Sequence, residues 1–265
     1  MKNKHTIKIN LDPCNPGQYF ACCGLLAVAD RLSTGAKAWF DCPDNTPRQG
    51  SFFIATDVPI EDEILTVFDD AAVIEEPLFG DPYKNPITID TKNVGYWYLD
   101  WWLESDYLSA NSALKNWAGT IKIKEDLFEH WFRIIKTARE FESPLCDLFD
   151  ISVAGKKINI DPRSSFNGGL SIGYSPNKMN YKTEIYPFVE LFGAIGLQYN
   201  RPTQGKSKSL FYHIWNRPIP FAVASIAIAN YGHLDTEWFL FKQEVNSELG
   251  KNTPYSFSQR QAHGR

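Results

Sequence analysis

Apolar and polar residues alternate over residues 6–11, and the alternation then gives way to an apolar run from Tyr19 to Ala29 that carries no charge. The alternation predicts a strand, and the run predicts a helix. Asn15 is a good N-cap, Pro16 suits the first helical position with its fixed φ and missing donor, and Gln18 stands where a capping-box partner reaches back to the cap. Because the run has no polar stripe, the helix is predicted to be buried on several sides. Asp30 and Arg31 return the chain to solvent and Gly35 supplies a left-handed stop, so the helix should hold roughly 17 to 19 residues and measure about 27 Å. A membrane span needs about 20 uninterrupted apolar residues. This run is shorter and contains two cysteines and a glycine, so a central core helix is the reading.

Short strands follow over residues 38–41 and 51–55, then a helix over 59–68 with acids in its first turn, where the dipole favours them, and a closing strand over 72–74. The order β-α-β-β-α-β is the split pattern of ferredoxin-like and RNA-recognition folds. The fold class expected is α+β: a ferredoxin-like, RRM-like unit over 1–92, a second mixed half over 93–246, and a flexible tail over 247–265. In the second half, residues 91–103 are intensely aromatic, with Tyr96, Trp97, Tyr98, Trp101 and Trp102. Such a strand either stacks bases or forms a packed sheet edge or subunit interface. A helix is predicted over 124–141 from apolar residues at helical spacing. A hairpin is predicted over 151–160, turning at residues 154–157, and paired strands over 209–215 and 219–228. Between them, residues 187–199 repeat the opening theme as a second nearly all-apolar helix. Gly193 and Gly196 lie on one side of it, where missing side chains admit a close neighbour. Glu190 is the one acid in that helix, either a functional carboxylate, a partner of a base, or part of a narrow exposed stripe.

Composition and charge refine this picture. The 265 residues are 43% hydrophobic and 22% charged, ordinary globular values that permit a sizeable core. No signal peptide is visible in MKNKHTIKIN, so a cytoplasmic protein is expected. Five cysteines without CxxC or zinc spacing suggest reduced, mostly buried thiols. The net charge of -4 hides an asymmetry: residues 1–120 hold 9 basic against 17 acidic side chains, and residues 156–217 hold nine basic against three acidic. That distribution suits a polyanion-binding face on a protein whose other face meets protein partners. A long Gly-rich stretch, DPRSSFNGGLSIGYSPNKMNYKTE, lies inside the basic region, and loops of this length are functional or disordered.

The chain has no P-loop, no GxSxG elbow, no HExxH and no dinucleotide fingerprint. No enzyme activity, cofactor or metal is therefore expected. His213, with Tyr212 beside it and Lys206 and Lys208 nearby, is the leading candidate if the chain cleaves RNA without a metal. A single strand histidine also reads as a satisfied structural residue.

The blocks LDPCNPGQYFACCGLLAVADRL, LDWWL with KNWAG, and GYSPNKMNYKTEIYPFVELFGAIGLQYNRP resemble the third member of the Csb group of CRISPR-associated proteins. That family is encoded with type I-U, now I-G, effector genes and is regarded as large-subunit-like. The resemblance implies a non-catalytic subunit of a Cascade-like RNA-guided antiviral complex, partnered by other effector subunits and by guide RNA, target DNA or both. It brings no residue roles with it. On charge and loop context alone, Lys156, Lys157, Arg163, Lys178, Lys182, Arg201, Lys206, Lys208 and Arg217 are the candidate phosphate contacts, and Tyr174 and Tyr181 the candidate stacking groups. The alternatives are a ferredoxin-like endoribonuclease that processes guide RNA through His213, and a repeated backbone subunit that coats the guide.

Overall fold

The computed structural model describes residues 5–46, 48–76, 85–103, 121–138, 144–164, 184–204, 209–227, 236–242 and 257–261. Strand β1 (His5–Leu11) leads into helix α1 (Pro16–Leu32), followed by β2 (Lys37–Asp41) and β3 (Gly50–Thr56). Period-2 patterning puts Ile7, Ile9 and Leu11 on one face of β1, and pairing sets Ile7 against Ile54 and Ile9 against Phe52. On the other side of β3, Ala38 meets Ile54 and Phe40 meets Phe52. Both pairings are antiparallel, so β1 and β2 run parallel with β3 between them and α1 as their crossover. This is the first half of the split pattern read from the sequence.

The second half does not close as a ferredoxin-like unit. Helix α2 (Glu61–Thr66) leads to β4 (Ala72–Glu75), but β4 does not join the sheet of β1. It pairs instead with β5 (Ile87–Thr91), which pairs with β6 (Gly95–Leu99), in a separate three-stranded antiparallel sheet. The fourth place in the first sheet goes to β11 (Ile219–Pro220), which sets Ile219 against Ala38. The division expected at residue 92 thus falls in the turn of the β5–β6 hairpin.

Helix α3 (Glu129–Ala138) continues a wider π turn over Ile123–Phe128. Leu127, Phe128, Trp131, Phe132 and Ile135 are buried along it. The hairpin expected over 151–160 does not form: β7 (Val153–Ala154) pairs with β8 (Glu184–Ile185), on the far side of the long Gly-rich stretch. Helix α4 (Pro187–Tyr199) follows, then β9 (Thr203–Gln204) and β10 (Ser209–Trp215). The expected strand over 219–228 is only β11, after which the chain turns into helix α5 (Phe221–Ala227). The local reason is FAVASIA, whose three alanines favour helix. The partner of β10 is β12 (Thr236–Lys242), and β13 (Gln259–Gln261) extends that sheet. Part of the tail expected to be flexible is therefore built in. Ser258 donates its N–H to the Cys14 carbonyl at 2.6 Å, and its hydroxyl lies 2.7 Å from that of buried Tyr212.

The core is organised by α1 and α4. Both are buried along nearly their whole length, Tyr19 to Ala29 and Pro187 to Leu197. Their backbones touch: a Cβ on Gly24 would lie 1.9 Å from the Phe192 carbonyl oxygen, and one on Gly196 would lie 1.9 Å from that of Phe20. The close neighbour that Gly196 anticipates is α1. Rings fill the space between α1 and the sheets, with Tyr19 stacked on Phe40 at 5.7 Å and on Tyr212 at 4.2 Å. Among the described residues no helix is long and apolar enough to cross a membrane.

Candidate functional site

The N-terminus of α1 is the hub of a buried polar cluster. Asp12 forms a turn, accepting the Cys14 N–H on its carboxylate at 2.9 Å and the Asn15 N–H on its carbonyl at 2.9 Å. Asn15 caps the helix by accepting the Gln18 N–H at 3.3 Å. The Gln18 side chain reaches past the cap expected for it and accepts the Asp12 N–H at 2.6 Å. Asn15 also donates through Nδ2 to Asp161 at 2.8 Å. Asp161 is fully buried, and a buried carboxylate is costly unless it meets such donors.

Arg163 supplies the rest. Its Nε and Nη2 both donate to Asp161, at 3.1 and 2.7 Å, its Nη1 donates to Asp150 at 2.9 Å, and Nη2 also reaches the Phe149 carbonyl at 2.7 Å. The guanidinium lies 3.5 Å from the centre of the Tyr186 ring. Arg163 stands at the start of the long Gly-rich stretch and Tyr186 just beyond its end. Their contact, with the β7–β8 pair beside it in sequence, brings the two ends of that stretch together.

Lys157 and Glu190 lie behind this base. Glu190 stands in the first turn of α4, accepts the Ile158 N–H at 2.9 Å through Oε2, and leaves Oε1 buried without a hydrogen-bond partner. Burial pushes its carboxyl up to about 8, against the opposing pull of the Ile158 N–H and the Lys157 ammonium. Lys157 donates to the Ser164 carbonyl, and burial holds its ammonium below the usual lysine range while Glu190 and Asp161 oppose the shift. Of the three readings of Glu190 from sequence, an exposed stripe is excluded.

The remaining candidates are scattered over other elements. Lys156 is half exposed and paired with Asp126 at 2.6 Å, Arg201 meets Asp100 at 3.3 Å beyond the end of α4, and Arg217 is exposed in the turn between β10 and β11. Lys178, Lys182, Lys206, Lys208, Tyr174 and Tyr181 lie outside the described residues. Lys157 and Arg163 come together, but as parts of the scaffold: the Arg163 donors are directed at protein acceptors and only 21% of its side chain is exposed. His213 sits on β10 opposite Trp238, 3% exposed, and burial lowers its pKa from the ordinary histidine value.

Two features carried no sequence signal beyond residue type. A cleft of about 500 Å³ opens between the β2–β3 loop and the α1 cap, lined by Asn10, Gln18, Asp41, Arg48, Asp150 and Arg163 among others. Arg48 holds Asp12 there with two bonds of 2.8 and 2.6 Å. Three carboxylates, Asp12, Asp41 and Asp150, face two guanidiniums across this cleft, so it is polar without being an anion site. Among the described residues no three His, Cys, Asp or Glu side chains stand together as a metal site, and none of the five cysteines is in a disulfide.

The chain matches no protein-family model, no curated protein and no solved structure. The resemblance to the Csb family rests on the quoted sequence blocks alone.

Proposed function

We propose that this chain is a non-catalytic nucleic-acid-binding subunit of a CRISPR RNA-guided antiviral complex, contacting guide RNA, target DNA or both through the basic stretch between Arg163 and Arg217. The observation that carries the reading is the closed base of the Gly-rich stretch. Arg163 on one side stacks on Tyr186 on the other, and both are anchored to the buried cluster at the start of α1. A segment tethered at one rigid base and carrying Lys178, Lys182, Tyr174 and Tyr181 has the composition of a backbone and base contact: ammonium groups for phosphates, rings for stacking. Arg163 itself acts in this reading as the clamp of the base and not as a phosphate ligand. In such complexes base pairing reads sequence and protein reads the backbone.

The test is purification of the tagged full-length chain from its native host, followed by sequencing of any RNA that travels with it. Guide RNA containing CRISPR repeat sequence is the expected result, and a preparation free of nucleic acid and of effector subunits overturns the proposal. In the assembled complex, replacing Lys178, Lys182 and Lys206 by alanine should make the dependence of log affinity on log salt shallower by about 2 on a single strand, at about 0.7 per lost phosphate contact. An unchanged slope removes these lysines from the nucleic-acid path.

A further inference from the structure

We infer that the outward face of the β4-β5-β6 sheet is a docking surface for an arginine- or lysine-bearing segment of a partner protein. This goes beyond the nucleic-acid reading and does not depend on it. The register divides the sheet into two faces. Val73, Ile87, Ile89, Trp97 and Leu99 are buried inward. The opposite face carries two cross-strand rows, Ala72 with Asp90 and Tyr96, and Ile74 with Thr88 and Tyr98. Tyr96 is 65% exposed, Tyr98 43% and Ile74 45%. Two tyrosines two positions apart on one strand stand about 7 Å from each other, which is room for one planar group between them.

Charge decides which planar group fits. Between Asp57 and Glu76 the sequence has eight acidic residues and no basic one. Asp69 and Asp70 precede β4, where Asp70 is paired with Lys92 at 3.3 Å, Glu75 ends it and Glu76 follows, and Asp90 stands within the face directly opposite Tyr96. A phosphate backbone laid here would meet like charge, whereas a guanidinium or ammonium meets both carboxylates and the negative ring faces. The inner side of the same strand already shows this mode of recognition. Arg31 stacks on Trp97 with its guanidinium carbon 3.4 Å from a ring centre, and it donates to the Tyr96 carbonyl at 2.8 Å. The exposed Ile74 between the acids adds an apolar contact, so the occupant is a segment that mixes arginine or lysine with aliphatic residues.

The full-length chain is titrated, by fluorescence anisotropy at physiological salt, with three probes: a short peptide alternating arginine and leucine, the same peptide with glutamate replacing arginine, and an oligothymidylate. The arginine peptide should bind and the glutamate peptide should not. Tyr96→Ser with Tyr98→Ser should weaken arginine-peptide binding roughly tenfold, and Asp90→Asn a few-fold. Tyr96→Phe with Tyr98→Phe should retain it because the ring faces remain. Asp44→Asn, on the β2–β3 loop, makes the same charge change as Asp90→Asn and should leave binding unchanged. Absence of arginine-peptide binding overturns the proposal, as does equal weakening by Asp44→Asn, which would mean general acidity. Loss of oligothymidylate binding in the double serine variant, with peptide binding intact, also overturns it and makes the face a base-stacking platform.

Discussion

Helices α1 and α4 are both buried along nearly their whole length, yet they begin in opposite ways. The first turn of α1 contains no acid, and one of its orphan N–H groups, that of Gln18, is met by the Asn15 side chain. Tyr186 gives α4 no side-chain cap; its first turn contains the buried Glu190 instead. The cap of α1 points outward to Asp161, and the acid of α4 points back to the Ile158 N–H. Residues 156–164 are thereby gripped from both helices, and this is the first part of the basic region. Two apolar helices make a core, and the polar groups at their starts turn that core into a platform.

The largest expected effect comes from treating the two helices alike. Leu26→Asp on α1 and Ala194→Asp on α4 each place a carboxylate at a position with no more than 1% exposure. An unpaired buried charge costs several kcal/mol, comparable with the roughly 5 to 15 kcal/mol that holds a domain together. Both variants should be recovered unfolded or insoluble. A soluble variant with an unchanged thermal midpoint would mean that its helix is not the core element described.

Next are the glycines at which the helices touch. Gly24→Ala and Gly196→Ala each drive a methyl group against a backbone carbonyl that no rotamer change can move. Each should cost about 3 kcal/mol, the upper end of overpacking effects. The double variant should cost less than the sum, because separation forced by one methyl makes room for the other. Urea denaturation of the three variants measures this, and full additivity would show that the two contacts yield independently.

The smallest effect separates the helices by pH. Glu190 binds its proton more tightly folded, at about 8, than at its ordinary 4.5. The folded state therefore holds more protons across that interval, so this group's stabilisation is complete below pH 4.5 and is lost as pH rises through about 8. The thermal midpoint should fall as pH rises from 6 to 9, and Glu190→Gln, which keeps an acceptor for Ile158, should flatten the fall. Helix α1 adds its own slope only at higher pH: burial pushes Tyr19, Cys22 and Cys23 upward from their ordinary values of 10.0 and 9.0, so the folded chain keeps protons that the unfolded chain loses from about pH 9. A slope unchanged by Glu190→Gln would mean that the carboxyl ionises freely in the folded state.

The chain by itself determined the elements whose information is local. Alternation placed β1, β2 and β3, the Asn15-Pro16 pair started α1, and the uncharged runs marked α1 and α4 as buried, because periodicity and capping are written in consecutive residues. What the chain could not carry was the choice of partner. The β4 strand satisfies its backbone equally well against β1 or β5, β10 pairs with β12 and not with the segment that follows it, and β7 finds β8 across about thirty residues. The same limit governs the candidate site. The basic excess over residues 156–217 was legible as charge, but a guanidinium contacts phosphate or clamps a scaffold depending on what surrounds it. Asp161 is two residues from Arg163 in sequence, but only the tertiary structure buries it and brings Asp150 and Tyr186 to the same guanidinium, and once Asp161 is buried the arginine is held there by the cost of leaving that carboxylate unpaired.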